Sequence, residues 1–185
     1  PLNLILGGLV GTLLGFGIGY LIDRGDRSFR SSDEIRKSLG LPVVGHIPVF
    51  FPRTEEELDV EQPAEAVSID KMICSYADPD SLAAEAYRAV RTNLFFSTHG
   101  ESHKVIQVTS PSSSDGKSTL ASNLAVSLAQ SGVKVLLVDA DLRRPKVHLN
   151  FGIEKGPGLS NLIRGSIELP EAIHRSAIEN LDLMP

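Results

Sequence analysis

Tryptophan is absent from the 185-residue chain, tyrosine occurs three times, and there is one cysteine, Cys74. A single thiol excludes an internal disulfide framework. Cys74 is therefore read as a buried or incidental thiol. An excess of positive charge is also lacking: 18 Lys and Arg stand against 23 Asp and Glu, a net charge of −5. General affinity for nucleic acid is excluded with it. The five histidines, His46, His99, His103, His148 and His174, show no metal-ligand spacing with a third partner and are read as structural. No internal repeat or low-complexity tract is present. The chain begins at Pro1 without a methionine and stops on a strand-like run at Leu181–Pro185. It is expected to be an internal segment of a longer protein.

Charge is missing altogether from Leu2 to Ile22, LNLILGGLVGTLLGFGIGYLI. At ~1.5 Å per residue such a helix crosses a hydrocarbon core of about 30 Å. A signal peptide would need a basic start and a small-residue cleavage site, and neither is visible. Gly7, Gly11, Gly15 and Gly19 recur every four residues, a smooth stripe where a second helix can approach. Arg24, Arg27, Arg30, Arg36 and Lys37 follow the run, so everything after residue 22 is expected on the cytoplasmic side.

Beyond the span, Ser31 and Glu34 have capping-box spacing at the start of a short helix that Gly40 should end. Val43, Val44 and Ile47 predict a strand or an extended docking segment. Between residues 53 and 80, nine carboxylates stand against two basic residues, with Pro63 and Pro79 as breaks. That composition predicts a tether without regular structure. Its one apolar patch, Ile69–Tyr76, is expected to dock as an edge strand.

A helix is predicted from Asp80 or Ser81 to about Phe96, with Ala83, Tyr87, Val90 and Leu94 on one face. Glu85, Arg88 and Arg91 form a separate stripe, E-x-x-R-x-x-R. By spacing alone this is a solvated face with one i,i+3 ion pair.

The densest chemistry lies between Lys104 and Arg144. An apolar run, Val105–Thr109, predicts a strand. A loop of small residues, Ser110–Gly116, leads into Gly116-Lys117-Ser118-Thr119 and a helical pattern that stops near Gly132. A second apolar run, Val135–Val138, ends in Asp139-Ala140-Asp141. Strand, phosphate loop, helix and strand make the front half of a P-loop nucleotide site. The backbone N–H groups of Ser112, Ser113, Ser114, Asp115 and Gly116 and the following helix start would cradle phosphates. Lys117 would reach the β- and γ-phosphates, Ser118 would ligate Mg²⁺, and Thr119 would reach the inner phosphates. Asp139 and Asp141 would serve the metal and accept a proton from an attacking hydroxyl. The loop departs from the glycine-rich pattern at Pro111 and Ser114, and serine resists positive φ. Arg143, Arg144 and Lys146 follow, either to bind phosphate or a neighbouring subunit or as a solvated basic turn. Further on, a short helix over Ser160–Ile163, a second from Pro170 to about Ser176, and a third strand, Leu181–Met184, are predicted.

Taken together these pieces resemble the bacterial tyrosine kinases fused to polysaccharide co-polymerases, over essentially the whole chain. The glycine-rich span and LGLPVVGHIP resemble the family's second transmembrane helix and its exit. EAYRAVRTNLFF, residues 85–96, resembles its oligomerisation helix. SPSSSDGKST, residues 110–119, and VLLVDADLRRP, residues 135–145, resemble its Walker A and Walker A′ motifs, and GLSNLIRG, residues 158–165, is similar to another of its stretches.

The resemblance implies an α/β fold with a P-loop NTPase-type parallel sheet and flanking helices, after one transmembrane helix and an acidic linker. The division it suggests is a span over 1–22, a juxtamembrane segment over 23–52, a linker over 53–79 and the first part of a kinase domain over 80–185. It implies ATP and Mg²⁺ as cofactors, with Lys117, Asp139 and Asp141 catalytic and Ser118, Asp139 and Asp141 holding the metal. It further implies a ring-like homo-oligomer through Glu85, Arg88 and Arg91, at the bacterial inner membrane beside the polysaccharide export and polymerisation machinery. The reaction implied is transfer of the ATP γ-phosphate to tyrosines of neighbouring subunits. Walker B and the tyrosine tail would lie beyond residue 185, so the fragment alone is expected to be inactive. Two other readings stand beside it: a membrane-tethered ATPase of the partitioning type, and a co-polymerase scaffold whose loop no longer turns over.

Overall fold

The computed structural model describes residues 2–25, 32–51, 69–97 and 105–185. The chain divides into two units, Pro1–Val43 and Val44–Pro185. In the first, helix α1 covers Leu2–Gly25 and α2 covers Ser32–Leu39. Ile5–Arg24 is long and apolar enough to cross a membrane, and its large side chains from Ile5 to Ile22 are exposed. Gly7, Gly11, Gly15 and Gly19 all have open space where a Cβ would stand. Arg24 lies over the Tyr20 ring, 5.4 Å from its centroid, at the end of this helix. In α2, Asp33 and Glu34 occupy the first turn and Arg36 and Lys37 the last, the arrangement the helix dipole favours. Gly40 ends it through its N–H bond to Arg36 O at 3.0 Å. The capping role of Ser31 and most of the acidic tether fall outside the described residues.

The second unit is organised around α5, Lys117–Gln130. Gly132, at φ +87°, donates to Ala129 O, and Val133 donates to Leu128 O. These bonds form a Schellman stop, which a side chain would strain. Strand β1, Val135–Val138, pairs in parallel with β3, Leu181–Met184, in the register Val135 to Leu181. A short β2, His174–Arg175, pairs antiparallel on the other edge of β3, giving the order β1-β3-β2. The sheet is therefore mixed. Leu137, Leu181 and Leu183 pack with Ala125, Val126 and Ala129 of α5 and with Val147, Phe151 and Ile178. Leu136 and Val138 face outward and stay exposed, as strand alternation requires.

Helix α4, Leu82–Ser97, packs along α5. Ser81 caps it, its Oγ accepting the Ala84 N–H at 3.2 Å. Ala83 and Tyr87 join Cys74, Ile47, Phe50 and Leu120 in a second cluster. Burial pushes the Cys74 thiol up, and it pushes the Tyr87 hydroxyl to about 12. Residues 44–50 run as an extended segment against α4. Asn93 donates to Val44 O at 2.8 Å, and a Cβ at Gly45 would collide with Val90.

Three expectations are corrected. Val105–Thr109 is extended but belongs to no ladder; Val105 is 86% exposed, and no described strand offers the partner hydrogen bonds that a strand needs. Ile69–Tyr76 docks without forming an edge strand. Cys74–Ala77 is a helical turn, α3, because Ile73 seats in the core and turns the chain by donating its N–H to Asp70 O. The helix expected from Pro170 to Ser176 stops as a 3-10 turn, Leu169–Ala172, since Ile173 is extended and leads into β2. Among the described residues the unit also has two short helices, α6 over Val147–Asn150 and α7 over Leu159–Ile163.

Candidate functional site

The phosphate loop is stitched by its own side chains. Ser110 Oγ donates to Ser112 O at 2.8 Å, and Asp115 Oδ2 accepts the Ser112 N–H at 3.0 Å. Lys117 reaches back across the loop, its Nζ 3.1 Å from both Ser110 Oγ and Ser112 O. Gly116 stands at φ +84° and provides no side-chain cap for α5. The first-turn N–H groups of Lys117, Ser118 and Thr119 are thus left for a ligand, at the positive end of the helix dipole. Ser114 also adopts a positive φ, +69°. A serine there keeps the left-handed turn at a cost of about 1–2 kcal/mol. Pro111 and Ser112–Gly116 are exposed, and Lys117–Thr119 are half-buried.

At the end of β1 the two aspartates part company. Asp139 continues the ladder, donating its N–H to Met184 O at 2.8 Å, and its side chain is buried. Oδ1 accepts the Asp141 N–H at 3.0 Å, and Oδ2 accepts those of Lys146 and Val147 at 2.7 and 3.0 Å. Asp139 therefore closes the 140–146 turn and caps α6. Asp141 is exposed, and its Oδ1 accepts the N–H groups of Arg143 and Arg144 at 3.2 and 3.0 Å. The Arg144 N–H bond, helped by that of Arg143 and by the charges of Lys117 and Arg144, holds its carboxyl below the usual carboxylate range. Asp141 thus favours its ionised form. His148 Nδ1 is buried without a hydrogen-bond partner.

The charged stripe of α4 does more than spacing suggests. Glu85 Oε2 takes both Nε and Nη2 of Arg88, at 2.7 and 2.6 Å, in the i,i+3 pair anticipated. Arg88 Nη1 also donates to Pro79 O at 2.9 Å. Arg91 points to α5: its Nη1 lies 2.7 Å from Ser127 O and 3.4 Å from Ser127 Oγ. The Ser131 N–H, which an unbroken helix would send to Ser127, bonds Leu128 O instead. Arg91 therefore satisfies a carbonyl at the C-terminal end of the phosphate-loop helix.

Sequence reasoning missed Asn123 and Gln130, whose side chains leave α5 for the backbone of Met72 and Ser75. For Asn123 the available signal was an amide at a position the helical period assigns to the core.

Against this geometry, the family model of the CobQ/CobB/MinD/ParA nucleotide binding domain matches residues 106–175. The chain is 39% identical to tyrosine-protein kinase YwqD of Bacillus subtilis over 116 residues, 63% of this chain and 49% of that one. It is 30% identical to tyrosine-protein kinase wzc of Salmonella typhi over 185 residues, all of this chain and 25% of that one. Among solved structures, the BceF tyrosine kinase domain superposes with a TM-score of 0.67 at 31% identity, covering 85% of this chain and 62% of the other. The kinase domain of Escherichia coli tyrosine kinase ETK gives 0.66 at 28% identity, covering 84% and 60%.

Over its whole length the chain is similar to a bacterial tyrosine kinase. It spans about half the length of YwqD and a quarter of the length of wzc. The likeness to wzc takes in α1, α4, the phosphate loop and the aspartate turn.

Proposed function

We propose that the protein to which this chain belongs is a membrane-bound tyrosine autokinase that uses ATP and Mg²⁺. In this reading α1 spans the bacterial inner membrane and residues after 22 are cytoplasmic. Residues 23–52 form the juxtamembrane segment, 53–79 the linker and 80–185 the first part of the kinase domain. The observation that carries the reading is a loop whose lysine and uncapped helix start suit phosphates, followed at the end of β1 by an Asp141 carboxylate that feels the charge of that lysine.

The residues suit a metal-bound triphosphate. Ser118 offers a hydroxyl and Asp141 a carboxylate, both hard oxygen donors that would hold Mg²⁺, which supplies charge neutralisation on the phosphates. Asp139 completes the carboxylate pair and fixes the turn that presents Asp141. The N–H groups of Ser112–Thr119 and the Lys117 ammonium orient the γ-phosphate and spread its charge. The tyrosine oxygen of a neighbouring subunit attacks phosphorus, a carboxylate of the pair takes its proton, and ADP leaves. Exposed Glu85 and half-buried Arg88 suit contact with the next subunit in a ring, while Arg91 anchors their helix to α5. Such a cycle would regulate polymerisation and export of an exopolysaccharide. The names of the relatives support the kinase over the partitioning ATPase.

The test is incubation of the full-length protein with radiolabelled ATP and Mg²⁺. Label on tyrosine, lost in Lys117→Met with nucleotide-free stability retained, is the expected result. Phosphate release without phosphotyrosine would leave an ATPase, and an unchanged polymer yield in Lys117→Met cells would leave a scaffold.

A further inference from the structure

The phosphate chemistry makes no use of the polar groups buried in α5. Asn123 is fully buried, and each of its hydrogen-bonding groups is occupied. Oδ1 accepts the Ser75 N–H at 2.9 Å and the Cys74 thiol at 3.3 Å. Nδ2 donates to Met72 O at 2.9 Å and to Thr119 O at 3.0 Å. Three of these partners lie on Met72–Ser75, where the chain docks after residues 52–68. The fourth is a carbonyl in the first turn of the phosphate-loop helix. One amide thus joins the loop to a segment more than forty residues upstream.

The same stretch of chain is also held by other bonds. Gln130 Nε2 donates to Ser75 O at 2.9 Å, and Asp70 donates its N–H to Asn150 O at 2.9 Å. Ile73 fills the core between them. Docking as such therefore does not require Asn123 to reach Thr119. That bond makes the first turn of α5 and residues 72–75 move together. If either shifts alone, a buried amide loses partners and the dry surroundings penalise the loss. A phosphate bound at the N–H groups of residues 117–119 acts on the same turn.

We propose that Asn123 is a positioning residue that couples nucleotide occupancy of the Ser112–Thr119 loop to docking of Met72–Ser75. The coupling is reciprocal: the docked segment tightens nucleotide binding, and bound nucleotide tightens docking. The inference rests on the nucleotide reading above.

The full-length protein provides the test. Amide hydrogen exchange over residues 72–77 is followed with and without a non-hydrolysable ATP analogue and Mg²⁺, while calorimetry measures analogue binding in the same sample. Saturation should slow exchange of this segment by roughly fivefold or more. Asn123→Leu should abolish that nucleotide-dependent ratio and weaken analogue binding by a similar factor. An Asn123 that merely stabilises the fold would speed exchange equally in both states, leaving the ratio intact, and that result overturns the proposal. Ser75→Pro tests the other side of the contact. It removes the N–H bonded to Asn123 at the second position of α3, where a helix does not need it, and should reduce the response. Should either variant fail to fold, the wild-type ratio decides: analogue bound with unchanged exchange at 72–77 defeats the coupling alone. No analogue binding at all defeats the nucleotide reading and the coupling with it.

Discussion

The phosphate loop and the aspartate turn supply the two halves of the candidate site, yet they are held by opposite means. The loop's bonds among Ser110, Ser112, Asp115 and Lys117 are mostly at the surface. The turn hangs from one buried carboxylate, Asp139, that collects three backbone N–H groups. A surface-stitched loop can trade its internal bonds for a ligand's at little cost, because water and phosphate compete for the same donors. A turn hung from a buried charge cannot, because removing the carboxylate strands donors where water does not reach. Ligand response belongs to the first region and rigidity to the second.

The sharpest way to break this contrast is to remove each aspartate in turn. Asp139→Ala should cost about 3 kcal/mol or more, since bonds to a charged acceptor are worth ~1.5–3 kcal/mol each and one donor left behind is buried. Urea unfolding of the purified protein measures it. Asp141→Ala should leave the unfolding midpoint nearly unchanged while removing tyrosine labelling. Equal destabilisation by the two variants would erase the distinction. Arg91→Ala comes next. It deprives Ser127 O of a charged donor and should lower stability by about 1–2 kcal/mol, read as a lower thermal midpoint.

Ser114→Gly should act in the other direction. Relief of the left-handed serine, offset by the greater freedom of unfolded glycine, leaves a gain of about 0.5–1 kcal/mol. If the gain appears in the liganded state, calorimetry will record severalfold tighter nucleotide binding. No gain would mean that the loop relaxes this residue on its own. The smallest effect is expected for Glu85→Ala, about 0.3 kcal/mol in a melting curve, because its pair with Arg88 is solvent-exposed. If Glu85→Ala changes the sedimentation of the full-length assembly and not the melt, the stripe divides into an outer part that meets a neighbour and an inner Arg91 that serves the fold.

Much of this was legible from local pattern. The boundaries of α4 and α5 follow from caps, glycine stops and 3.6-residue periodicity, all properties of neighbouring residues. β1 and β3 were equally plain as apolar runs. Val105–Thr109 has the composition of a strand, but composition does not provide a ladder partner. Ile69–Tyr76 was recognised as a docking patch with the wrong shape, because Ile73 and the bonds from Asn123 decide its turn. In the site, the residue types of Ser112–Thr119, Asp139 and Asp141 could be picked out from spacing. The different situations of the two aspartates could not, since Asp-Ala-Asp reads symmetrically until the Lys146 and Val147 N–H groups fold back onto the first of them.

The amino-acid sequence by itself determined an uncharged run of membrane-spanning length, a helix carrying E-x-x-R-x-x-R, and a loop-helix-strand order with a lysine and two aspartates at fixed offsets. Each is a short-range property, set by covalent spacing and side-chain chemistry. Tertiary structure alone decided that Ser114 takes a positive φ, that Asp139 turns inward while Asp141 stays in solvent, that Arg91 caps a helix it is 36 residues away from, and that Asn123 ties the loop to Met72–Ser75. Those outcomes depend on which distant backbone groups are left without partners when the core closes. Burial makes each unmet donor or acceptor costly, and the side chains that happen to reach them take on roles that local spacing does not reveal.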